Sequence, residues 1–461
     1  MTHVAIIGGG PGGYEAALVA KQLGADVTVV DTDGIGGSAV LTDCVPSKTL
    51  VSTAEIMAIG DAAPELGISF PAGKGAGIAV DLAKLNERVV GLAKAQSADI
   101  EGRLVRDGVR VVRATGRLDG PQRVVATSAD GQEEVLDADA VLVATGASPR
   151  TLPTAQPDGE RILDWEQLYD LQERPEHLVV VGSGVTGAEF AGAYNALGLE
   201  VTLVSSRDRV LPGEDADAAE VIEQVFKRRG MTVLARSRMA SVTRSGDTVT
   251  VTLEDGREVV GSHCLLALGS VPNTGGLGLE EAGVELARGG YVDVDKVSRT
   301  SARGVYAAGD CTGVLMLASV AAMQGRIAMW HFLGDAVAPL NLKAVSSNVF
   351  TAPEIATVGW TQRAVDAGEI EAETVMLPLA TNARAKMQGV RDGFVKLFCR
   401  PGSGTLVGGV VVAPRASELI HVIALGVAQR LTADQLAQAF TVYPSMSGSV
   451  AEAARRLHHV R

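Results

Sequence analysis

The sequence predicts an α/β fold with two Rossmann-like dinucleotide-binding domains and a C-terminal α+β domain. An apolar strand, a glycine-rich GxGxxG turn, a helix and a second strand follow one another twice along the 461 residues. In such a turn the first glycine permits tight geometry, the second lets backbone approach a pyrophosphate, and the third lets helix pack against strand. Beyond about residue 340 the chain changes to short β-rich segments and two helices, which is typical of a separate α+β domain.

The first strand–turn–helix unit begins at the N-terminus. A strand over residues 4–7 leads through the turn into a helix over 14–23, and a second strand over 25–30 ends in Asp31. The glycines of the turn are Gly8, Gly10 and Gly13. A carboxylate at the end of the second strand suits the diol of a ribose and repels a 2′-phosphate, so Asp31 indicates a dinucleotide without that phosphate.

The second unit lies in mid-chain and differs at the end of its second strand. A strand over 178–181, a helix over 188–197 and a strand over 200–204 surround the glycines Gly182, Gly184 and Gly187. The second strand runs into Ser205, Ser206 and Arg207, where a site specific for NAD usually has Asp or Glu. Arg207 could pair with a 2′-phosphate, although solvated arginines on a loop explain the pattern equally well. The unit should accept NADPH, and NADH stays open.

Other segments are assigned from composition and periodicity. A proline-rich stretch over 148–153 indicates a linker, residues 61–77 are expected to be irregular, and 81–108 form a long amphipathic helix. The C-terminal elements are predicted as strands over 348–350, 355–359, 393–398 and 406–412 and helices over 417–429 and 432–439.

Composition limits the partners and the compartment. The net charge of -13 would repel a polyanion, so we expect no nucleic-acid partner. The four cysteines are scattered without a CxxC pair, which favours a reducing compartment and no metal site. The N-terminus reads as a strand rather than a signal peptide. The most apolar stretch, 178–204, is interrupted by glycines and carries two glutamates, so we expect no stable membrane insertion and a cytoplasmic protein.

Several ordered motifs together resemble the pyridine nucleotide-disulphide oxidoreductases, such as dihydrolipoamide dehydrogenase and glutathione reductase. Besides the two GxGxxG turns, the motifs are Gly36-Gly37 with Cys44-Val45-Pro46-Ser47-Lys48, ATGASPR over 144–150, LGSVPN over 268–273, GVYAAGD over 304–310 and VFTAPE over 349–354. The resemblance runs essentially end to end. It implies a homodimer whose subunit has an FAD-binding domain over 1–150, an NAD(P)-binding domain over 151–270, a central domain over 271–340 that completes the FAD site, and an interface domain over 341–461.

The resemblance also implies roles for individual residues. Gly8, Gly10 and Gly13 would hold the FAD pyrophosphate, Asp31 the adenosine ribose and Asp310 the ribityl chain. Lys48 and Glu189 resemble an ion pair beside the flavin ring, where a cation stabilises the negative charge that develops on reduction. The other implied FAD-binding residues are Gly37, Ala114, Gly116, Thr145, Gly146 and Ala318. The implied NAD(P)-binding residues are Gly182, Gly184, Gly187, Ser205, Ser206, Arg207 and Gly269.

The sequence departs from the family at both parts of the disulphide chemistry. The family has two cysteines five positions apart, and here the first position is Ala39, which leaves Cys44 alone. The family's C-terminal histidine–glutamate dyad is replaced by Tyr443 and Gly448. Disulphide exchange needs an attacking thiolate, a resolving thiol and a proton carrier, so we expect no disulphide reductase activity. Cys44 itself could carry a stabilised thiolate or could be a relic thiol packed under the flavin ring.

The remaining chemistry indicates an NAD(P)H:quinone oxidoreductase of the diaphorase type. Hydride would pass from NADPH or NADH to FAD, and two electrons would then pass to a quinone. Ala39 and Tyr443 could open an apolar pocket where an aromatic acceptor stacks. The pattern is similar to actinobacterial quinone reductases that lack the redox disulphide. Three alternatives stay open: a soluble transhydrogenase, an oxidase or peroxidase that uses Cys44, and a non-catalytic subunit that keeps FAD for folding.

Overall fold

Two parallel sheets organise the chain, one in each of the two units into which it divides. The computed structural model describes residues 2–62, 67 and 79–458. The first unit comprises Met1–Thr49, Ala83–Arg150 and Leu268–Asn341, and the second comprises Leu50–Leu82, Thr151–Ala267 and Leu342–Arg461. The division into four domains predicted from the sequence stays a prediction.

The first unit is built on a five-stranded parallel sheet whose order is β18-β7-β1-β2-β3. These strands are β1 (His3–Ile7), β2 (Asp26–Asp31), β3 (Arg110–Arg113), β7 (Ala140–Val143) and β18 (Val305–Ala307). An antiparallel sheet follows β3 with β4 (Thr115–Leu118), β5 (Arg123–Thr127) and β6 (Glu133–Asp137), and β8 (Ala147–Pro149) pairs with β17 (Ser270–Pro272). The central strands β1 and β7 are almost continuously apolar because helices cover such a sheet on its faces.

The helices of the first unit are α1 (Pro11–Gln22), α2 (Gly37–Leu41), α4 (Leu82–Arg106) and α7 (Ala318–Phe332), and α3 (Cys44–Ala62) begins in it. Helices α1 and α7 pack closely through small residues. A Cβ at Gly325 of α7 would lie 2.1 Å from the backbone oxygen of Gly12, so only glycine permits this approach. Helix α4 confirms the long helix predicted over 81–108. The irregular segment predicted over 61–77 lies almost entirely outside the described residues, except that its first two residues end α3.

The second unit contains another parallel sheet, with the order β12-β11-β10-β16-β9. Its strands are β9 (Ile162–Leu163), β10 (His177–Val181), β11 (Glu200–Val204), β12 (Thr232–Leu234) and β16 (His263–Leu266). Helices α5 (Val185–Ala196) and α6 (Ala216–Arg228) follow β10 and β11, and an antiparallel sheet is formed by β13 (Met239–Ser245), β14 (Thr248–Leu253) and β15 (Glu258–Gly261).

The C-terminal part of the second unit is an antiparallel sheet with helices, as the sequence predicted. The sheet has the order β19-β20-β23-β22-β21, with strands β19 (Ser346–Val349), β20 (Glu354–Gly359), β21 (Glu373–Pro378), β22 (Phe394–Cys399) and β23 (Leu406–Ala413). The helices are α8 (Gln362–Asp366), α9 (Ala383–Met387), α10 (Ala416–Ala428), α11 (Ala433–Gln438) and α12 (Gly448–Arg456). Strand β21 and helices α8, α9 and α12 were not predicted, and α8 and α9 have only five residues each.

The predicted α/β fold class is confirmed, and the predicted helix starts of both glycine turns are three residues late. Helix α1 begins at Pro11 rather than 14, and α5 begins at Val185 rather than 188. Both helices start inside the GxGxxG turn, because the last glycine belongs to the first helical turn. Among the described residues, none of the helices combines the length and the apolar character that crossing a membrane requires.

Candidate functional site

The first glycine turn is shaped to admit an extended anionic group. A Cβ at Gly8 (φ +101°) would lie 2.3 Å from the backbone oxygen of Ala144, and one at Gly13 would lie 1.9 Å from the backbone oxygen of Gly8. Gly10 instead faces open space, since its nearest neighbour would be the Cα of Gly37 at 4.0 Å. Helix α1 has no side-chain cap, which leaves first-turn N–H groups available to an anion. This turn therefore fits the pyrophosphate of a dinucleotide such as FAD.

Asp31 holds the turn in place. One carboxylate oxygen accepts a hydrogen bond from the backbone N–H of Gly9 at 2.7 Å, and the other accepts from that of Gly34 at 2.7 Å. An ionised carboxylate offers about four lone-pair sites, so these bonds leave capacity for a ribose hydroxyl. The predicted ribose contact stays a prediction, and the structure adds that Asp31 orders the loop that carries the glycines.

Three of the other implied FAD-binding residues, Ala114, Gly116 and Gly37, lie around the same turn. The backbone N–H of Ala114 donates to the backbone oxygen of Asp31 at 3.1 Å. A Cβ at Gly116 would lie 3.0 Å from Ile7, and one at Gly37 would lie 2.9 Å from the Cα of Gly10. The sheet edge that carries Asp31 therefore brings Ala114, Gly116 and Gly37 into one neighbourhood.

Asn273 fixes the Thr145–Gly146 loop, a role that sequence reasoning missed. Its side-chain amide donates to the backbone oxygen of Thr145 at 3.0 Å, and its backbone N–H donates to the backbone oxygen of Gly146 at 3.0 Å. The Thr145 hydroxyl donates back to the backbone oxygen of Asn273 at 2.6 Å. Asn273 is the last residue of the LGSVPN motif over 268–273, and this position could have indicated a role at the site. Of the other predicted residues, Gly269 precedes β17 and Ala318 begins α7.

Two carboxyl groups and a lysine define the electrostatics at the start of α3. Burial raises the pKa of Asp43, and the positive charge of Lys48 opposes that rise. Burial, together with the negative charge of Asp43, raises the pKa of Asp310 to about 6. Cys44, the first residue of α3, is partly buried. Asp43 was not among the predicted site residues, although an acidic residue directly before the recognised cysteine was visible in the sequence.

The second glycine turn repeats the geometry of the first. A Cβ at Gly182 (φ +115°) would lie 2.2 Å from the backbone oxygen of Ala267, and one at Gly187 would lie 1.8 Å from that of Gly182. Gly184 has open space within 4 Å of its added Cβ, and α5 lacks a side-chain cap. The turn therefore fits a second dinucleotide such as NADPH or NADH.

The residues after β11 occupy different depths. Ser205 is fully buried, with its hydroxyl 2.7 Å from that of Ser183, and it accepts the backbone N–H of Arg207 at 3.1 Å. Ser206 and Arg207 are exposed. The Ser205 side chain thus shapes the loop from within, while Ser206 and Arg207 face solvent.

Glu189 is buried, and Tyr443 is exposed. Glu189 is 3% exposed, and its carboxylate accepts the backbone N–H of Phe350 at 2.8 Å. Because Lys48 belongs to the other unit, the predicted Lys48–Glu189 pair stays a prediction. Tyr443 is 86% exposed, and Phe440 and Val442 near it in the chain are also exposed, whereas Gly448 begins α12. The exposed aromatic and aliphatic side chains at 440–443 are the kind of surface that a partner covers.

Comparison with known proteins agrees with these observations. Residues 2–325 match the family described as pyridine nucleotide-disulphide oxidoreductase, and residues 345–454 match its dimerisation domain. The chain is 57% identical to the NAD(P)H dehydrogenase (quinone) of Mycobacterium tuberculosis, over 99% of this chain and 94% of that protein. It is 34% identical to the dihydrolipoyl dehydrogenase of Chlorobaculum parvum, over 98% and 96% of the two chains. The structure of this chain superposes on the crystal structure of LpdA from Mycobacterium tuberculosis with a TM-score of 0.95. The two sequences are 57% identical, and the superposition covers 100% of each chain.

Proposed function

Because this chain belongs to the pyridine nucleotide-disulphide oxidoreductase family, we propose that it is an NAD(P)H:quinone oxidoreductase without disulphide reductase activity. It is an FAD-dependent enzyme that uses a nicotinamide nucleotide, as its family does, and it carries that family's dimerisation domain. The relative from Mycobacterium tuberculosis that bears the name of a quinone dehydrogenase supports a quinone as the acceptor.

The observation that carries the proposal is the set of available thiols. Cys44 begins α3, and the position five residues earlier is Ala39, inside α2. The other cysteines, Cys264, Cys311 and Cys399, are free and buried, and burial raises the pKa of each. All four cysteines of the chain lie among the described residues. A dithiol relay needs two thiols in reach of each other, so this chain lacks the carrier that a disulphide reductase uses.

The chain's own residues supply binding, charge and a proton reservoir. When bound, FAD would accept two electrons from the nicotinamide nucleotide and pass them to the acceptor. Lys48 would place a positive charge next to that exchange, and Gly10 and Gly184 would leave room for the two pyrophosphates. Reduction of a quinone to a quinol also consumes two protons. Asp43 and Asp310 hold a proton at higher pH than an ordinary carboxyl group, so one of them could store a proton beside the reaction.

The proposal includes a homodimer in the cytoplasm. The exposed side chains at 440–443 support coverage by a second subunit, and Tyr443 would then line the acceptor site in place of the family's histidine. Four cysteines that form no disulphide are compatible with a reducing compartment.

Steady-state oxidation of NADPH and NADH by the FAD-loaded enzyme tests the proposal, with menadione or lipoamide as acceptor. We expect fast menadione reduction and no lipoamide turnover above the rate of free FAD. Clear lipoamide turnover would contradict the proposal. Transfer from NADPH to an oxidised nicotinamide analogue in the absence of quinone would indicate a transhydrogenase instead.

Cys44→Ser separates the two explanations of the thiol. If electrons pass from FAD to quinone directly, the variant still reduces menadione at the wild-type rate. If turnover with peroxide or oxygen requires Cys44, the enzyme is an oxidase or peroxidase. Cys399→Ser, at a buried position in β22, is the matched control for loss of one thiol.

A further inference from the structure

Two exposed arginines lie side by side where β11 and β12 end. Past β11, the backbone N–H of Ser205 donates to the oxygen of Leu234 at 2.8 Å, and the N–H of Ser237 donates to the oxygen of Ser205 at 2.7 Å. One step further, the N–H of Arg236 donates to the oxygen of Arg207 at 2.7 Å. The two arginines are therefore joined through their backbones although 29 positions separate them, and both are exposed.

The segment that carries these arginines is held from within. Arg236 has a left-handed backbone (φ +52°), which costs a non-glycine residue about 1 kcal/mol and persists only where the surroundings impose it. The bonds from Arg236 and Ser237 to the opposite segment impose it here. On that opposite segment, the buried Ser205 hydroxyl accepts the N–H of Arg207. Both backbones are therefore ordered before any ligand arrives.

The two guanidinium groups lack the carboxylate partners that nearby arginines have. Arg238 lies 3.8 Å from Glu254 and Arg257 lies 2.7 Å from Asp255. In the described part of the chain, Arg207 and Arg236 form no ion pair. Asp208 is the acidic residue between Arg207 and Arg209, so this edge keeps an excess of positive charge in a chain whose net charge is -13.

We propose that Arg236 and Arg207 together bind the 2′-phosphate of NADPH and make NADPH the preferred nucleotide. The adenosine ribose of a nucleotide bound at a glycine turn lies near the end of the second strand of the unit, here the end of β11. A guanidinium binds phosphate through paired, charge-assisted hydrogen bonds, and a second one on the adjacent segment supplies the other side of the phosphate. Arg236 lies two residues past β12 (Thr232–Leu234), outside the βαβ unit that the GxGxxG motif marks. This inference rests on the proposed use of NAD(P)H.

Isothermal titration calorimetry of the FAD-loaded enzyme with 2′,5′-ADP and with 5′-AMP tests the proposal without turnover. The wild type should bind 2′,5′-ADP more tightly. Arg236→Gln keeps two of the three methylene groups of the stem and should weaken 2′,5′-ADP about tenfold, the loss expected for one charge-assisted phosphate contact, while 5′-AMP binding stays unchanged. Arg207→Gln should behave in the same way, and Arg236→Lys should recover part of the loss. Asp208→Asn should strengthen 2′,5′-ADP binding.

Arg238→Gln is the matched control, because it removes a guanidinium two residues from Arg236 that already faces Glu254. It should leave the affinity for both nucleotides unchanged. Equal affinity of the wild type for 2′,5′-ADP and 5′-AMP, or an unchanged 2′,5′-ADP affinity in Arg236→Gln, would overturn the proposal. This test can fail independently of the proposed activity. An enzyme that does not reduce quinone can still prefer 2′,5′-ADP to 5′-AMP. A quinone reductase without that preference would refute only the role of the two arginines.

Discussion

Lys396 in β22 forms a buried ion-pair cluster whose loss should measurably destabilise the protein. Its ammonium lies 2.9 and 2.8 Å from the two carboxylate oxygens of Asp215 and 2.6 Å from Asp217. The side chains of Lys396 and Asp215 are only 2% and 3% exposed. Lys396→Met would leave the Asp215 carboxylate buried without its cation, a change that costs about 3–5 kcal/mol.

The expected cost lies near the lower end of that range. Asp215 is the N-cap of α6 and keeps hydrogen bonds from the backbone N–H groups of Asp217 and Ala218 at 3.1 and 3.3 Å. The positive end of the helix dipole also remains beside it. We therefore expect Lys396→Met to lower the free energy of unfolding by about 3 kcal/mol.

Urea unfolding followed by far-ultraviolet circular dichroism measures this change, with FAD release recorded in the same samples. Asp217→Asn is the control, since Asp217 is 56% exposed and an exposed pair contributes about 1 kcal/mol or less. Adding Asp215→Asn to Lys396→Met should recover much of the loss, because the buried charge is then gone. A cost below about 1 kcal/mol for Lys396→Met would refute the assignment of a buried, uncompensated charge.

Three further predictions concern the first glycine turn and two titrating groups. Gly13→Ala should disrupt folding of the turn, whereas Gly10→Ala should fold but retain little FAD, as measured by absorbance at 450 nm. Gly91→Ala, in open space on α4, is the control and should retain FAD. Full flavin content in Gly10→Ala would contradict the placement of the pyrophosphate. Burial would raise the pKa of Asp158, but three backbone N–H bonds and Arg244 lower it to about 2. Because this carboxylate is exposed, its contribution after solvent screening is about 1 kcal/mol, which is present at neutral pH and lost as pH falls from about 4 to about 2. Asp158→Ala should lose this contribution at pH 7 in urea unfolding, and an unchanged acid limb would contradict the assignment. Burial, aided by nearby arginines, lowers the pKa of His263 to about 4, so the free energy of unfolding falls as pH falls from about 6.5 to about 4. His263→Gln should reduce this fall by about 2 kcal/mol after solvent screening. A fall as steep as in the wild type would refute the assignment.

The glycine turns show why much of the fold could be predicted from the sequence. Strand, turn and helix are local, and the roles of Gly8 and Gly13 follow from the backbone they must accommodate. The predicted helices still started late, since apolar periodicity begins only after the third glycine while the helix begins at Pro11. Strand β21 was missed because its sequence, ETVMLP, does not alternate polar and apolar residues, although the exposure of its side chains does alternate.

The candidate site was predictable only where residues belong to a motif. Asn273 and Asp43 act on loops that motifs mark, but their partners, Thr145 and Lys48, are set by folding. Ser205 lies buried against Ser183, which no local pattern indicates, and its contact with the nucleotide stays a prediction. Burial and pairing depend on which segments the sheet brings together, and sequence spacing does not report them.

The sequence by itself determined the α/β class, the two dinucleotide-binding turns and the loss of the second thiol at Ala39. These properties depend on residue identity at fixed spacing, so they can be read along the chain. Only the tertiary structure decided that Arg236 stands next to Arg207, that Lys396 neutralises Asp215, and that the charge of Asp43 helps to raise the pKa of Asp310. Each of these depends on two residues far apart in sequence. They interact only because the packed strands and helices place them within a few ångströms of each other, or close enough for their charges to interact without screening.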